Sequence, residues 1–329
     1  MPLSIIIPVY NRPQEVTELL ESLAHQTVQD FEIIVVEDGS QVSSQKLVES
    51  FQNRLTLSYY FIPNGGPGKA RNYGAAKAVG EYLIVLDSDC IIPPDYIKNV
   101  LDEIKATNAD AFGGPDKAAD DFTNIQKAIN YSMTSFFTTG GIRGGKKKLD
   151  KFYPRSFNMG IKKELYEQLN GFADMRFGED IDFSIRLYKT GSKVCLFPSA
   201  WVYHKRRTDW RKFFRQVYNS GIARINLYLN YPDSLKLVHI LPAAFTIGVI
   251  VLIIGSFLSV WSLLPLLIYV LILFLDAAIE SHSLKIGFLS IIASFVQLCG
   301  YGCGFLSAVW RRIVLKKDEF SAFERTFYK

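Results

Sequence analysis

Residues 83–90 read LIVLDSDC: an apolar run carrying Ile84 and Val85, then Asp87, Ser88 and Asp89 released into a turn. A short apolar run bounded by turn residues is the pattern of a buried strand. Two carboxylates one residue apart can hold a divalent cation, directly or through water, and such a cation can hold a diphosphate. Magnesium or manganese suits oxygen ligands of this kind. Asp and Ser are also ordinary turn residues, so the triplet takes its meaning from what surrounds it. Outward from it, between residues 2 and 112, strand-like runs at 4–7, 31–36, 55–61, 82–86 and 109–113 alternate with helical stretches at 14–24, 67–79 and 94–107. The first helix puts Val16, Leu19, Leu20 and Leu23 on one face, and the other two begin with proline in the first turn. This spacing predicts an open parallel α/β sheet covered by helices, on which ligands bind beyond the carboxyl ends of the strands. The polar residues just after the strands therefore carry the function.

Composition divides the chain. Of its 329 residues, 49% are hydrophobic and 21% charged, which excludes a disordered or collagen-like chain. The last 93 residues hold only 12 of the 69 charged side chains. A net charge of +5, spread along the chain with no aromatic-interleaved basic stretch, excludes nucleic acid as the expected partner and favours lipid phosphates. Cys90, Cys195, Cys299 and Cys303 form no CxxC and no Cys/His zinc spacing. The opening MPLSIIIPVYNR has no basic region before its apolar run and is not expected to be a signal peptide, which places the soluble part in the cytosol.

Further along, helices are expected at 125–137, 162–169 and 180–190 and strands at 193–197 and 200–203. The Gly-rich stretch 140–151 carries Lys146, Lys147, Lys148 and Lys151, with Arg155 just beyond. It reads either as a flap over an acceptor that meets lipid phosphate or as a solvated charge run. Residues 209–229 combine Trp210, Phe213, Val217 and Ile225 with Arg211, Lys212, Arg215 and Arg224. That is a basic amphipathic helix lying in a membrane interface or packed on its own domain.

Three apolar runs follow, 238–259, 263–279 and 286–310, the second marginal for a hydrocarbon core of about 30 Å. Asp276 and Glu280 mark the end of a span, since a carboxylate is costly at the bilayer centre. Three crossings from a cytosolic domain would put Arg311, Arg312, Lys316 and Lys317 outside, against the positive-inside bias. Gln297, Gly300, Gly302 and Gly304 suggest a re-entrant or protein-packed third run, so an even number of crossings is expected. The expected domains are 1–207, catalytic; 208–236, an interfacial helix and linker; 237–310, membrane; and 311–329, a basic tail.

Five motifs occur in one order: PVYNR at 8–12, VEDGS at 36–40, GGPGKARNYG at 65–74, DSD at 87–89 and NGFADMRFGEDIDFSIRL at 170–187. By these the chain resembles the inverting family 2 glycosyltransferases of GT-A fold, over residues 3 to about 205. The resemblance implies a Rossmann-like GT-A domain followed by C-terminal transmembrane helices. It implies that Tyr10 stacks on the nucleotide base, that Asp38 accepts a hydrogen bond from it and that Arg71 lies near the nucleotide. Pro8, Asn11, Arg12, Lys69 and Ser88 would complete the nucleotide-sugar site. Asp87 and Asp89 would hold the metal, Mn2+ or Mg2+, and the ribose, with His204 as a further ligand and Lys205, Arg206 and Arg207 near the diphosphate. Asp180 would be the general base that deprotonates the acceptor, with Glu179 as alternate and Asp182 structural. Glu37 departs from the Asp more common there. No Walker P-loop and no GxGxxG after the first strand occurs.

The activity so implied is a single displacement. A sugar passes from a nucleotide-diphosphate donor, UDP favoured, to a lipid-linked saccharide for a surface glycan, or else to a polyprenyl phosphate. FFRQVYN at 213–219 lacks the Q-x-x-R-W of processive synthases, which favours one sugar per encounter. A nucleotidyltransferase would need a Gly-rich loop after the first strand, and the intact motifs argue against a decayed scaffold. Neither the sugar nor the oligomeric state follows from the sequence.

Overall fold

The structure, a computed structural model, describes residues 2–117, 122–139, 152–175, 177–205 and 208–318. The stretch 140–151 with its four lysines, and Arg206 and Arg207, lie outside the described residues. The chain divides into two compact units, Met1–Ala119 with Phe152–Lys205, and Asp120–Lys151 with Arg206–Lys329. The division is discontinuous. The helices Asn124–Thr134 and Phe136–Thr139 group with the C-terminal helices, whereas the sequence reading keeps them inside a continuous 1–207 domain.

The first unit contains ten strands: β1 (Leu3–Val9), β2 (Phe31–Asp38), β3 (Leu57–Ile62), β4 (Tyr82–Leu86), β5 (Cys90–Ile91), β6 (Ala111–Gly113), β7 (Asp116–Lys117), β8 (Asn158–Lys162), β9 (Val194–Leu196) and β10 (Val202–His204). Seven form one sheet in the order β3-β2-β1-β4-β8-β6-β9, and β5-β10-β7 form a small second one. β1 pairs in parallel with β2 and β4, Ile5 lying opposite both Ile33 and Ile84. Such strands are near-continuous apolar runs because both faces are covered. Val16, Leu19, Leu20 and Leu23 of Pro13–Ala24, with Tyr96, Ile97 and Val100 of Tyr96–Thr107, share a core with Ile5, Ile7, Ile33 and Ile84. Ala70 and Ala75 of Pro67–Lys77, with Phe183 and Leu187 of Glu179–Lys189, share the other with Ile6, Ile34 and Val85.

The sheet is not wholly parallel, which corrects the sequence reading. β8 runs antiparallel between β4 and β6. Its sequence, NMGIK, has Gly160 at the centre and no β-rich run to announce it. The glycine is required there: Gly160 faces Phe112, whose ring would lie 2.1 Å from an added Cβ. Gln45–Glu49 is a short helix that the sequence reading leaves out.

Among the described residues of the second unit, three helices are long and apolar enough to cross a membrane: Leu237–Gly255, Val260–Ser281 and Leu284–Val314. The middle one reaches 22 residues because the turn Val260–Leu263 extends it backwards. Asp276 lies one turn and a half from its end and accepts from Tyr131 Oη at 2.6 Å and from Ser135 Oγ at 3.4 Å. The helix Trp210–Asn230 buries Phe213 and Val217 in a cluster with Ala128, Ile129 and Ala293, so its apolar face is packed within its own unit.

Candidate active site

Three loops at the carboxyl ends of β1, β2 and β4 build the site. Asn11, at φ +51°, ties the first two together: its Oδ1 accepts from the amides of Gln41 and Val42 at 2.7 and 3.1 Å, and its own amide donates to Ser40 Oγ at 2.8 Å. Pro8 pairs with Val36 inside the sheet, and Tyr10 follows it, half-buried. Asp38 ends β2, buried, and its carboxylate accepts from the amides of Gly65 and Gly66 at 2.6 and 2.8 Å and from Asn64 Nδ2 at 3.2 Å. Burial pushes its carboxyl up, against the pull of those amides. Asp38 thereby fixes the glycine turn that starts the helix Pro67–Lys77, where Gly66 takes φ +92°.

Glu37 is fully buried and does different work. It accepts from Ser44 N at 2.9 Å, from Ser44 Oγ at 3.1 Å and from the Tyr59 hydroxyl, closing the start of the helix Gln45–Glu49. Burial and this hydrogen bond push the Tyr59 phenol up to about 12. The departure from Asp at this position thus falls on a residue that holds a loop.

The DSD turn is split between two partners. Asp89 pairs with Arg12 through Oδ2, and its Oδ1 lies 3.2 Å from His204 Nε2. His204 ends β10, opposite Cys90 of β5, with its ring stacked on Phe157 at 5.0 Å. Asp87 turns the other way. Its Oδ1 receives Arg71 Nη2 at 2.9 Å, while Arg71 Nη1 donates to Glu179 Oε1 at 3.0 Å. Arg71 is only 3% exposed and lies over the Phe172 ring at 5.2 Å. Burial alone would lower its pKa, but the two carboxylates outweigh that and push it up. So the sequence reading, which gives both aspartates to a metal, finds Asp89 beside His204 and Asp87 in a salt bridge.

A carboxylate oxygen and an imidazole nitrogen facing one another at 3.2 Å suit a divalent ion of the manganese or magnesium type. His204 Nδ1 is buried with no hydrogen-bond partner among the described residues, so no internal bond commits the ring to another task. Cys90 Sγ completes a close trio with Asp89 and His204. Burial and the neighbouring carboxylates push this thiol well up, and its sulfur lies 3.5 Å from the Phe157 carbonyl.

Gly178, at φ +85°, turns the chain into the helix Glu179–Lys189. Asp180 Oδ1 accepts from the Ile181 amide at 2.8 Å and Oδ2 lies 3.2 Å from Arg155 Nη1, with the side chain 20% exposed. Glu179 is more enclosed and engaged with Arg71; burial pushes its carboxyl up, Arg71 pulls it down and Asp180 pushes it up again. Asp182 is buried on Arg186 at 2.8 Å, and Arg186 in turn donates to the carbonyls of Leu169 and Gly171 at 2.6 and 2.9 Å. Of the three acids, Asp180 combines partial exposure with freedom from the Arg71 brace. Lys69 sits at the rim on Asp174, 3.1 Å away, and Ser88 is buried. Arg155 and Phe157 are the site residues that sequence reasoning misplaced or missed. Arg155 reads as one more lysine-cluster charge, and Phe157 stands in no motif.

Residues 4–169, just over half of the chain, match the model of "Glycosyl transferase family 2". The glycosyltransferase GlyG of Streptococcus pneumoniae serotype 4 is 27% identical over 249 residues, 67% of this chain and 79% of that one. The poly(ribitol-phosphate) β-N-acetylglucosaminyltransferase TarS of Staphylococcus aureus is 38% identical over 229 residues, 64% of this chain. That match spans only 36% of TarS. Among solved structures, a mannosyltransferase from Pyrobaculum calidifontis in complex with GDP-Man and Mn2+ superposes with a TM-score of 0.61 at 16% identity, over 94% of this chain and 88% of that one. Residues 1–349 of S. aureus TarS in complex with UDP-GlcNAc give 0.50 at 20% identity, over 95% and 92%. At these identities the structural likeness is one of fold, and that fold is GT-A. The order of the motifs, the strand-end placement of their acids and the family match converge: the chain belongs to glycosyl transferase family 2.

Proposed function

We propose that the protein is a membrane-anchored, metal-dependent, inverting transferase that moves one sugar from a UDP-sugar to a lipid-linked saccharide at the cytosolic leaflet, for a cell-surface glycan. The observation that carries this reading is the separation of tasks among the acids. Asp89 stands with His204, Asp87 and Glu179 are held by Arg71, and Asp180 is left partly open. The UDP-GlcNAc and GDP-Man complexes of the structural neighbours support a nucleotide-sugar donor.

In this reading Tyr10 offers its ring to the base, and Asp38, already fixed by the Gly65 and Gly66 amides, presents acceptor oxygen to it. Pro8, Asn11, Arg12, Lys69 and Ser88 shape the remainder of the donor site. Asp89 and His204 would hold a divalent ion, which when bound supplies positive charge against the departing diphosphate. Arg71 bridges Asp87 to Glu179, so the helix that carries Asp180 is referenced to the donor turn. Asp180 then takes the proton of the acceptor hydroxyl as its oxygen attacks the anomeric carbon. The bond from that carbon to the diphosphate breaks on the opposite face, and the nucleoside diphosphate leaves with the electron pair.

Thermal stabilisation of the detergent-purified protein by UDP, GDP, CMP and dTDP, with and without Mn2+, tests the donor site. A manganese-dependent shift with UDP that is lost in Asp89→Asn is the expected result. No shift with any nucleotide would overturn it. Transfer to a lipid-linked saccharide but not to bare polyprenyl phosphate is expected in acceptor trials.

A further inference from the structure

One of the three long apolar helices is unlike the other two. In their apolar windows Leu237–Gly255 and Val260–Ser281 are each 11% buried, but Leu284–Val314 is 44% buried. Its partner over much of that length is Trp210–Asn230. Val217 meets Gly300, Tyr218 meets Gly304, and Gly221 meets the backbone of Tyr301 and Phe305, where an added Cβ would lie 2.3 Å from the Tyr301 carbonyl. Tyr218 Oη donates to Ser307 Oγ at 2.8 Å. Residue numbers rise together along both helices, so the two run in the same direction with an offset of 83 between Val217 and Gly300. Carried back at about 1.5 Å per residue, that register sets Arg211, Lys212 and Arg215 beside Ser294, Phe295 and Leu298. All three cations are exposed, and they stand level with the middle of the apolar run. Were Leu284–Val314 to cross a bilayer, it would carry them toward the centre, where charged side chains are costly.

The contacts with the other two helices point the same way. Gly302 faces Pro242 and Thr246, near the start of Leu237–Gly255, and Gly287 faces Phe274 and Ala278, near the end of Leu264–Ser281. Phe295 packs on Phe245 and Tyr269 between them. Gly287 and Gly302 thus meet the hairpin in the halves next to residues 281 and 237, and Phe295 between them reaches Phe245 and Tyr269, short of the turn 256–263. Toward the turn Ile250, Ile254, Leu258, Trp261 and Leu267 are exposed, and no Asp, Glu, Lys or Arg occurs between Leu237 and Leu275. A helix that crossed alongside would follow the hairpin toward its tip.

We propose that Leu284–Val314 lies in the membrane plane, across the base of the hairpin 237–281, and does not cross the bilayer. The hairpin alone enters the hydrocarbon, and Arg311, Arg312, Lys316 and Lys317 return to the side from which it entered. There they face anionic headgroups together with Arg211, Lys212 and Arg215. This removes the conflict between three apolar runs and a basic tail, and it rests on the membrane reading given above.

The test uses the full chain with Lys317→Cys or, separately, Glu49→Cys in the first unit, both exposed positions. Labelling by a membrane-impermeant maleimide, above that of the parent chain, is measured in intact spheroplasts of the expression host and again after permeabilisation. Both cysteines are expected to be protected in intact spheroplasts and to label severalfold more strongly once the membrane is opened. Labelling of Lys317→Cys in intact spheroplasts while Glu49→Cys stays protected would overturn the in-plane helix and leave the membrane reading standing. Release of the parent chain from membranes by alkaline carbonate would overturn both.

Discussion

Arg71 ties the DSD turn to the start of the helix Glu179–Lys189. It is buried, charged and bonded to a carboxylate on each side, Asp87 in the donor turn and Glu179 at the start of the helix Glu179–Lys189. Removing one partner of a buried ion pair leaves an uncompensated charge, at about 3 to 5 kcal/mol. Arg71→Ala is therefore expected to lower the melting temperature of the purified protein markedly, and an unchanged melting curve would show that the brace carries no load. Asp180→Asn should be different. The side chain keeps its shape and its partial exposure, so folding and donor binding persist while transfer falls roughly a hundredfold to ten-thousandfold, the reach of general base catalysis. Steady-state transfer and nucleotide-induced thermal shift, measured on the same variant, separate the two effects. The pairing of Arg71 with Asp87 was not legible in the sequence. A guanidinium and a carboxylate 16 residues apart pair only because β4 and the helix Pro67–Lys77 bring them together.

Among the elements, β8 shows where pattern reading stops. A strand of five residues with glycine at its centre and asparagine at its start has no periodic signal, yet it joins β4 to β6 and pairs antiparallel with both. Its glycine is a packing decision made by Phe112, on a strand 48 residues earlier. Gly160→Val should overpack this contact and cost about 1 to 3 kcal/mol or more, read as a lower melting temperature and a smaller yield of folded protein. Asp110 fastens the same region. Its carboxylate accepts from the Lys193 amide at 2.9 Å and from Lys162 Nζ at 2.9 Å, tying the approach to β9 and the end of β8 to the start of β6. The Lys193 amide, and then Lys162, hold its carboxyl below the usual 3.8. Because the folded pKa lies below the unfolded one, this stability is present above pH 3.8 and is lost as pH falls through the lowered value. Asp110→Asn should thus destabilise by about 1 kcal/mol near neutrality, a modest figure for a partly exposed pair. The difference from the parent should close in acid, and a difference constant with pH would contradict the assignment.

For the whole molecule, the sequence divides a charged half from an apolar one, and the three apolar runs coincide with three helices. The composition of 124–139 gave no hint that its helices group with the C-terminal ones, because a helix with a capping box and an ordinary amphipathic face fits either unit. Tyr131 bonds to Asp276, a half-buried carboxylate 145 residues away in an apolar helix. Likewise, the polar and glycine positions of the third run announce packing but not against what. In the proposed function Asp180, paired with Arg155 yet partly open, is the carboxylate that takes the proton. That account requires the sugar to change configuration, because the acceptor oxygen attacks the face opposite the nucleotide. The most direct measurement is the anomeric configuration of the linkage that the full-length protein forms from an α-linked nucleotide sugar, read by proton NMR of the product. A β linkage is the result predicted, and an α linkage would contradict the single displacement on which the mechanism rests.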